Sequence, residues 1–385
     1  MEMLDAVTAY DLKKKYAGFT ALHGLNLEIT KGSVFSIVGS AGCGKTTALR
    51  LFAGLCEPTG GECTVLGYSP YHEPRRLHEL MGVVTETTRL YEKMTINQNL
   101  QFFAKLYGIE VNDAIDRISF LLHRLDIWEY RDKPVKDLPT SVLQKANISR
   151  ALVHKPKILL LDEPTEGLDM ETTLLVRGMI AHIVTEEEAT VLITTRHLLH
   201  AQALSENYAI MEKGELIARG TLESLRRISG LKIKAALRLA EGSAPPAGFF
   251  NRDGLWMKNI GQESEMPVLL SKAMQEGCKV YEANIIYPTL ENIYDAFLNG
   301  ADTLQESEEI YAGEPQDTDD GKPQPEERDE ADEGPDRAEP EHGAETEEYR
   351  NAAAAADPGD APADPGSAEP AGGEAEETVF SVVDY

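Results

Sequence analysis

The segment Gly39-Ser40-Ala41-Gly42-Cys43-Gly44-Lys45-Thr46-Thr47 satisfies GxxxxGK[ST] through Gly39, Gly44, Lys45 and Thr46. It follows the apolar run Val34-Phe35-Ser36-Ile37-Val38, which reads as a buried strand, and it leads into a helical pattern from Lys45. In that context the glycines turn successive backbone N–H groups toward one concavity, where they and the helix N-terminus bind phosphate oxygens. Lys45 is expected to reach the β- and γ-phosphates, and the Thr46 hydroxyl to coordinate Mg2+. A glycine-rich turn with a chance lysine would also fit the residues, but it explains neither the strand before nor the helix after.

A second motif supports the first. Ile158-Leu159-Leu160-Leu161-Asp162-Glu163 is an apolar strand that delivers two carboxylates at its end. Such a pair holds Mg2+ with one carboxylate and sets a base beside an attacking water with the other. Asp162 takes the metal role and Glu163 the catalytic one. Alone, the pair would read as a solvated turn; with the phosphate loop upstream it reads as a site for ATP and Mg2+.

Further short strands at Ala6 to Lys13, Leu25 to Ile29 and Val191 to Thr195, with a mostly helical stretch from Thr95 to Leu152, imply an α/β fold around a parallel sheet. A turn at Lys213-Gly214 separates two more short strands, and Leu231 to Phe297 carries the mixed pattern of a small α+β extension. The expected boundaries are 1–225 for the main domain, with a helical subdomain at about 90–155, then 226–300 for the extension and 301–385 for a disordered acidic tail.

The tail is set apart by charge. Of the formal net charge of −28, residues 301–385 account for −24, with 28 Asp and Glu against 4 Lys and Arg, which leaves −4 on the preceding 300 residues. The tail cannot bury enough apolar surface to offset its ordering entropy. Its last residues, Thr378 to Tyr385, are apolar enough to dock as a short strand on a partner or on the main domain. A near-neutral body without a basic stripe argues against a nucleic-acid partner. Cys43, Cys56, Cys63 and Cys278 have no metal-ligand spacing and suit a reducing compartment. The first residues lack the features of a signal peptide, and no run approaches the roughly 20 apolar residues that span a bilayer.

With both motifs in place, the chain resembles the ATP-binding-cassette ATPases from about Leu4 to Gly220, most closely in Leu159 to Asp169, LLLDEPTEGLD. The resemblance implies a P-loop NTPase fold with antiparallel β and helical subdomains. It also implies that Tyr16, in KKYAGFTALHGLNLEI, stacks on adenine, although an ordinary strand aromatic is the other reading of that residue. The segment Tyr287 to Tyr294, YPTLENIY, is similar to the C-terminal end of exporter cassettes with separate membrane subunits. Family cassettes work as dimers sandwiching two ATP molecules; ATP closes the dimer and hydrolysis reopens it. The implied partners are a separate transmembrane permease and a second cassette, of the same or preferably another kind. The implied place is cytoplasmic, peripheral on the inner face of the cell membrane.

Three family elements are altered. The signature loop, usually LSGGQ, aligns with Leu138-Pro139-Thr140-Ser141-Val142, so the serine, an N–H and both glycines are lost. The expected glutamine is Glu86, which either reaches Mg2+ as an added carboxylate or faces solvent in its loop. The expected histidine is Arg196, which can hold a γ-phosphate but cannot exchange protons near neutral pH. The expectation is therefore secure ATP binding with slow or partner-dependent hydrolysis. The alternatives are a competent ATPase in which Arg196 and Glu86 serve by other geometry, a regulatory cassette with little hydrolysis of its own, and a soluble cassette outside transport.

Overall fold

The computed structural model describes residues 5–86, 89–240 and 242–300. The acidic tail at 301–385, with its apolar end, lies outside the described residues. The chain opens with the long strands β1 (Asp5–Tyr16) and β2 (Phe19–Thr30), then β3 (Val34–Gly39), α1 (Lys45–Phe52), β4 (Gly60–Val65), the short α2 (Pro74–His78) and β5 (Met81–Val84). Helices α3 (Ile96–Leu106), α4 (Val111–Arg124) and α5 (Thr140–Leu152) follow, then β6 (Ile158–Asp162), α6 (Met170–Thr185), β7 (Thr190–Thr195), α7 (Leu198–Leu204), β8 (Asn207–Glu212), β9 (Glu215–Thr221) and α8 (Leu222–Ser229). The last described elements are β10 (Ile233–Leu239), β11 (Phe250–Arg252), β12 (Leu255–Ile260), α9 (Glu265–Gln275), β13 (Val280–Ile286) and α10 (Leu290–Asn299).

The central sheet has the order β5-β6-β7-β3-β8-β9 and is parallel except for the hairpin of β8 with β9. Every residue of β3, β6 and β7 is buried. The alternation along β6 gives the reason for its unbroken apolar run. Ile158 and Leu160 pack into one core with β1, β2 and α1, whereas Leu159 and Leu161 pack into another with the helices α3 to α5. A strand covered on both faces has no polar face to display. The first core is roofed by the antiparallel sheet β2-β1-β4. The α/β fold with antiparallel and helical subdomains is the one expected from the sequence.

The helical stretch follows its caps. Thr95 and Gln98 form a reciprocal capping box at the start of α3, each satisfying an amide that the helix leaves free. Arg117 of α4 is buried and pairs with Glu187, at 2.6 Å from Nη1, while its Nη2 donates to the Leu152 carbonyl at 2.8 Å. One side chain thereby ties α4 to the end of α5 and to the loop before β7.

Beyond α8, the antiparallel sheet β11-β12-β10-β13 packs with α9 around a small core that includes Ala235, Leu237, Ile260 and Ala273. Helix α10 is not part of that core. Its residues Leu290, Ile293 and Tyr294 pack with Val38 of β3 and with Tyr208 and Ile210 of β8. The end of the extension is thus built into the central sheet's surroundings.

Candidate functional site

Parallel strands end together, so the site forms where β3, β6 and β7 stop. The register pairs Val38 with Thr195 and Asp162 with Thr194. Residues one or two positions past each strand therefore meet at the same edge, the usual place for ligands in an open parallel sheet.

The phosphate loop spans the turn from β3 to α1. Gly42 and Gly44 hold φ of 78° and 107°, a region that favours glycine. At Gly39 and Gly44 space decides as well: a Cβ would stand 2.1 Å from the Met211 carbonyl at the first and 2.6 Å from the Ala21 carbonyl at the second. The glycine spacing is therefore enforced by backbone packed against the loop. Ser40, Ala41 and Gly42 face solvent, Cys43 and Gly44 are buried, and Thr46 and Thr47 are half-buried. No side chain caps the N-terminus of α1, so its first N–H groups are open to an anion.

Lys45 is buried, and its Nζ donates to the carbonyls of Gly39 at 2.9 Å and Ser40 at 2.8 Å. The ammonium thus bridges the strand end and the loop, which holds its charge inside the turn. Burial pushes the adjacent Cys43 thiol up from its ordinary pKa, so this sulfur stays protonated near neutral pH.

Asp162 is buried at the end of β6. Its Oδ1 accepts hydrogen bonds from the Thr194 hydroxyl at 2.5 Å and the Thr46 hydroxyl at 3.2 Å. Its Oδ2 is buried with no hydrogen-bond partner among the described residues. A buried carboxylate oxygen left without a donor is costly. Beside the hydroxyl of Thr46 it forms a pair of hard oxygen donors that fits a magnesium ion.

Glu163 adopts φ of 46°, a left-handed conformation uncommon for a side chain of its kind, and its N–H donates to the Thr194 carbonyl at 2.8 Å. Its carboxylate accepts from the Thr195 hydroxyl at 2.7 Å and from the Arg196 backbone N–H at 2.9 Å. The chain turns sharply at this residue, and both carboxylate oxygens are held by the end of β7.

Arg196 contributes to that hold through its backbone. Its guanidinium pairs instead with Glu166, and both side chains are about half exposed. His200, in the first turn of α7, shares a hydrogen bond with the Thr165 hydroxyl at 2.8 Å. Burial and the neighbouring His197 lower its pKa, so it is held toward its neutral form. Sequence reasoning did not single out His200, because it contacts Thr165 only through the packing of α7. Glu86 is exposed in the loop after β5, and its backbone carbonyl accepts from Arg89 at 2.8 Å. In the altered signature segment Pro139 is the N-cap of α5, with no side-chain cap, and Pro139 and Thr140 are exposed. Gln144 of the same helix donates to the Pro164 carbonyl at 3.3 Å, linking α5 to the segment after Glu163.

Tyr16 ends β1 half-buried, its ring stacked on Phe19 with centroids 5.4 Å apart. Phe19 is 61% exposed. The signal for this second aromatic was the spacing Tyr-Ala-Gly-Phe: Gly18 at φ of 96° closes a tight hairpin that pairs Tyr16 with Phe19. If adenine stacks on this platform, Phe19→Ala is expected to weaken ATP binding roughly threefold to tenfold, the scale of one aromatic contact. Titration of the variant against the unaltered chain would show it, and equal affinities would place adenine elsewhere.

Comparison with known proteins places this geometry. Residues 22–166 match the family model described as ABC transporter. The chain is 37% identical over 224 residues to the ABC transporter ATP-binding protein NatA of Bacillus subtilis, an alignment covering 58% of this chain and 90% of that protein. It is 27% identical over 299 residues to the daunorubicin resistance ATP-binding protein DrrA3 of Streptomyces coeruleorubidus, covering 75% of this chain and 94% of the relative. Among solved structures it is similar to cbiO1 of Clostridium perfringens, part of the ABC transporter complex cbiONQ. That match has a TM-score of 0.52 and 26% identity, covering 59% of this chain and 95% of the other.

Proposed function

The chain belongs to the ABC transporter family as an ATP-binding protein, and on that premise we propose that it binds Mg-ATP and couples it to a separate transmembrane permease. The observation that carries the reading is the Asp162 carboxylate, one oxygen shared by Thr46 and Thr194 and the other buried without a partner, next to the Lys45 loop. Gly39 to Thr47 hold the phosphates, Thr46 and Asp162 hold Mg2+, and the Tyr16 and Phe19 rings receive adenine. Magnesium, when bound, neutralises phosphate charge and polarises the γ-phosphoryl group. Glu163 orients and deprotonates the attacking water. Thr195 and the Arg196 N–H fix its carboxylate for that task.

Glu86 is a further candidate for the metal shell, and Arg196 for the γ-phosphate; either role would require its side chain to leave the position described above. Because Arg196 pairs with Glu166 and the signature segment lacks its glycines, hydrolysis by this chain alone is slow, and a second, more typical cassette supplies the missing parts. Among the described residues no helix is long and apolar enough to cross a membrane, which is in keeping with a peripheral subunit on the inner face of the cell membrane. The names of the relatives, which include daunorubicin resistance, linearmycin resistance and bacitracin transport proteins, favour export of an amphipathic small molecule by the partner permease.

The purified chain is expected to bind ATP in the presence of Mg2+ but to turn it over well below the roughly 10 per second typical of enzymes. Equilibrium titration and a phosphate-release assay check the two halves separately. Turnover at the usual enzyme rate would remove the slow-hydrolysis reading, and absence of binding would remove the whole proposal.

A further inference from the structure

Ser40, the second residue of the phosphate loop, donates its hydroxyl to Oε2 of Glu212 at 2.8 Å. The same carboxylate oxygen accepts the hydroxyl of Tyr294 at 3.1 Å. Glu212 ends β8, whereas Tyr294 sits in α10 at the far end of the extension. Loop, sheet and α10 thus meet at this carboxylate, and the Tyr294 hydroxyl also interacts with Ser40 itself. A second contact clamps the same turn, since the Gly214 N–H donates to the Cys43 carbonyl at 2.9 Å.

The helix is well placed to act through this contact. Thr289 and Asn292 form a reciprocal capping box at its start, and the Leu290 N–H donates to Oε1 of Gln202 in α7 at 2.8 Å. Arg226 of α8 holds the Pro288 carbonyl at 2.7 Å. Tyr294 is buried in the same small core as Val38, the residue that leads into the loop, and Ile210. Burial and the Glu212 carboxylate both raise the phenol's pKa, so its hydroxyl keeps the proton it donates. The carboxylate lies beside a loop that must accept triphosphate, so an unshared charge there would oppose binding. Two hydroxyl donors spread that charge and fix the Ser40 side chain, while Lys45 fixes its carbonyl.

We propose that Tyr294 and Glu212 are positioning residues of the nucleotide site, so that helix α10 of the C-terminal extension sets the affinity of the phosphate loop. The inference rests on the reading of that loop as an ATP site. It also implies reciprocity: whatever α10 does to nucleotide affinity, nucleotide does to the stability of α10.

The test is calorimetric titration of Mg-ATP into the full chain and its variants, with melting temperatures measured alongside. Tyr294→Phe keeps the ring in its core and deletes only the donor; it is expected to weaken binding about fivefold, the scale of one ordinary hydrogen bond. Glu212→Gln retains an acceptor for both hydroxyls and removes a negative charge beside the triphosphate, so it is expected to bind at least as tightly as the unaltered chain. Glu212→Ala loses the shared acceptor, and adding Tyr294→Phe to it should cost less affinity than in the unaltered chain, because part of the coupling runs through that oxygen while the Tyr294 hydroxyl also meets Ser40 directly. Asn292→Ala, which breaks the capping box away from Glu212, should lower the melting temperature without changing the affinity. Nucleotide should also slow amide exchange in α10 of the unaltered chain more than in Tyr294→Phe. Equal affinities of Tyr294→Phe and the unaltered chain would overturn the relay alone, as would a Tyr294→Phe effect that persists in full in Glu212→Ala. An unaltered chain that takes up no Mg-ATP would overturn the reading of the site and the relay with it.

Discussion

Lys45→Ala is expected to weaken Mg-ATP binding by roughly a hundredfold or more, about 3 kcal/mol, which is the scale of losing charge-assisted contacts to the β- and γ-phosphates. The Lys45 Nζ is already held at the loop by two carbonyls, at 2.9 and 2.8 Å, so little side-chain freedom remains to be lost when nucleotide arrives. Alanine keeps the helix start, since it is the best helix former. Without nucleotide the variant should melt somewhat lower, because the Gly39 and Ser40 carbonyls lose their donor, while the stabilisation that nucleotide gives the unaltered chain should vanish. A variant that still gains the full melting shift with Mg-ATP would show that nucleotide binds elsewhere.

Glu163→Gln is expected to separate the two halves of the cycle. ATP binding should persist, and turnover in the presence of the proposed permease and second cassette should fall by about a hundredfold or more, the usual contribution of a general base. The substitution is gentle where the residue is strained. A glutamine oxygen can accept the Arg196 N–H, and its amide can donate to the Thr195 hydroxyl, so the left-handed turn at 163 keeps both anchors. Single-turnover hydrolysis with radiolabelled ATP gives the chemical step free of product release. Unchanged turnover would mean that the chain's own site does not fire, and that its role in the pair is regulatory.

The signature segment bears on the same question. Its glycines are replaced, yet α5 still begins at Thr140 without a side-chain cap, and the exposed Thr140 adds a hydroxyl at that helix start. What Pro139 removes is its own N–H and the freedom to reshape the turn, not the N–H groups of the residues that follow. The loss at this end is therefore one of the serine hydroxyl and of adaptability, which the proposed partner cassette would supply.

The parallel sheet was legible because its strands are buried on both faces: Val34 to Val38 and Ile158 to Leu161 have almost no polar residue to disguise them. The loop was legible because positive φ and close backbone approach at Gly44 leave room for one residue type. The antiparallel strands were read shorter than they are. In β1 and β2 the pairing runs from Asp5 with Thr30 to Tyr16 with Phe19 through several register shifts, which break the simple alternation that marks a strand. The same hairpin hid Phe19, whose importance comes from the ring it faces across a tight turn.

By itself, the sequence determined the phosphate loop, the two carboxylates at the end of β6, and the alternation of strands and helices. These depend on local conformation and on periodicity over a few residues, which neighbours in the chain dictate. The tertiary structure alone decided that Arg196 turns its guanidinium to Glu166, that both oxygens of Glu163 are held by the end of β7, and that Tyr294 reaches the loop through Glu212. Ser40 and Glu212 are 172 residues apart, and Tyr294 lies 82 beyond Glu212. The place of α10 was decided by the packed surface of β3 and β8 that it covers. Contacts over such separations leave no local pattern, because they are set by which surfaces remain uncovered after the sheet has formed.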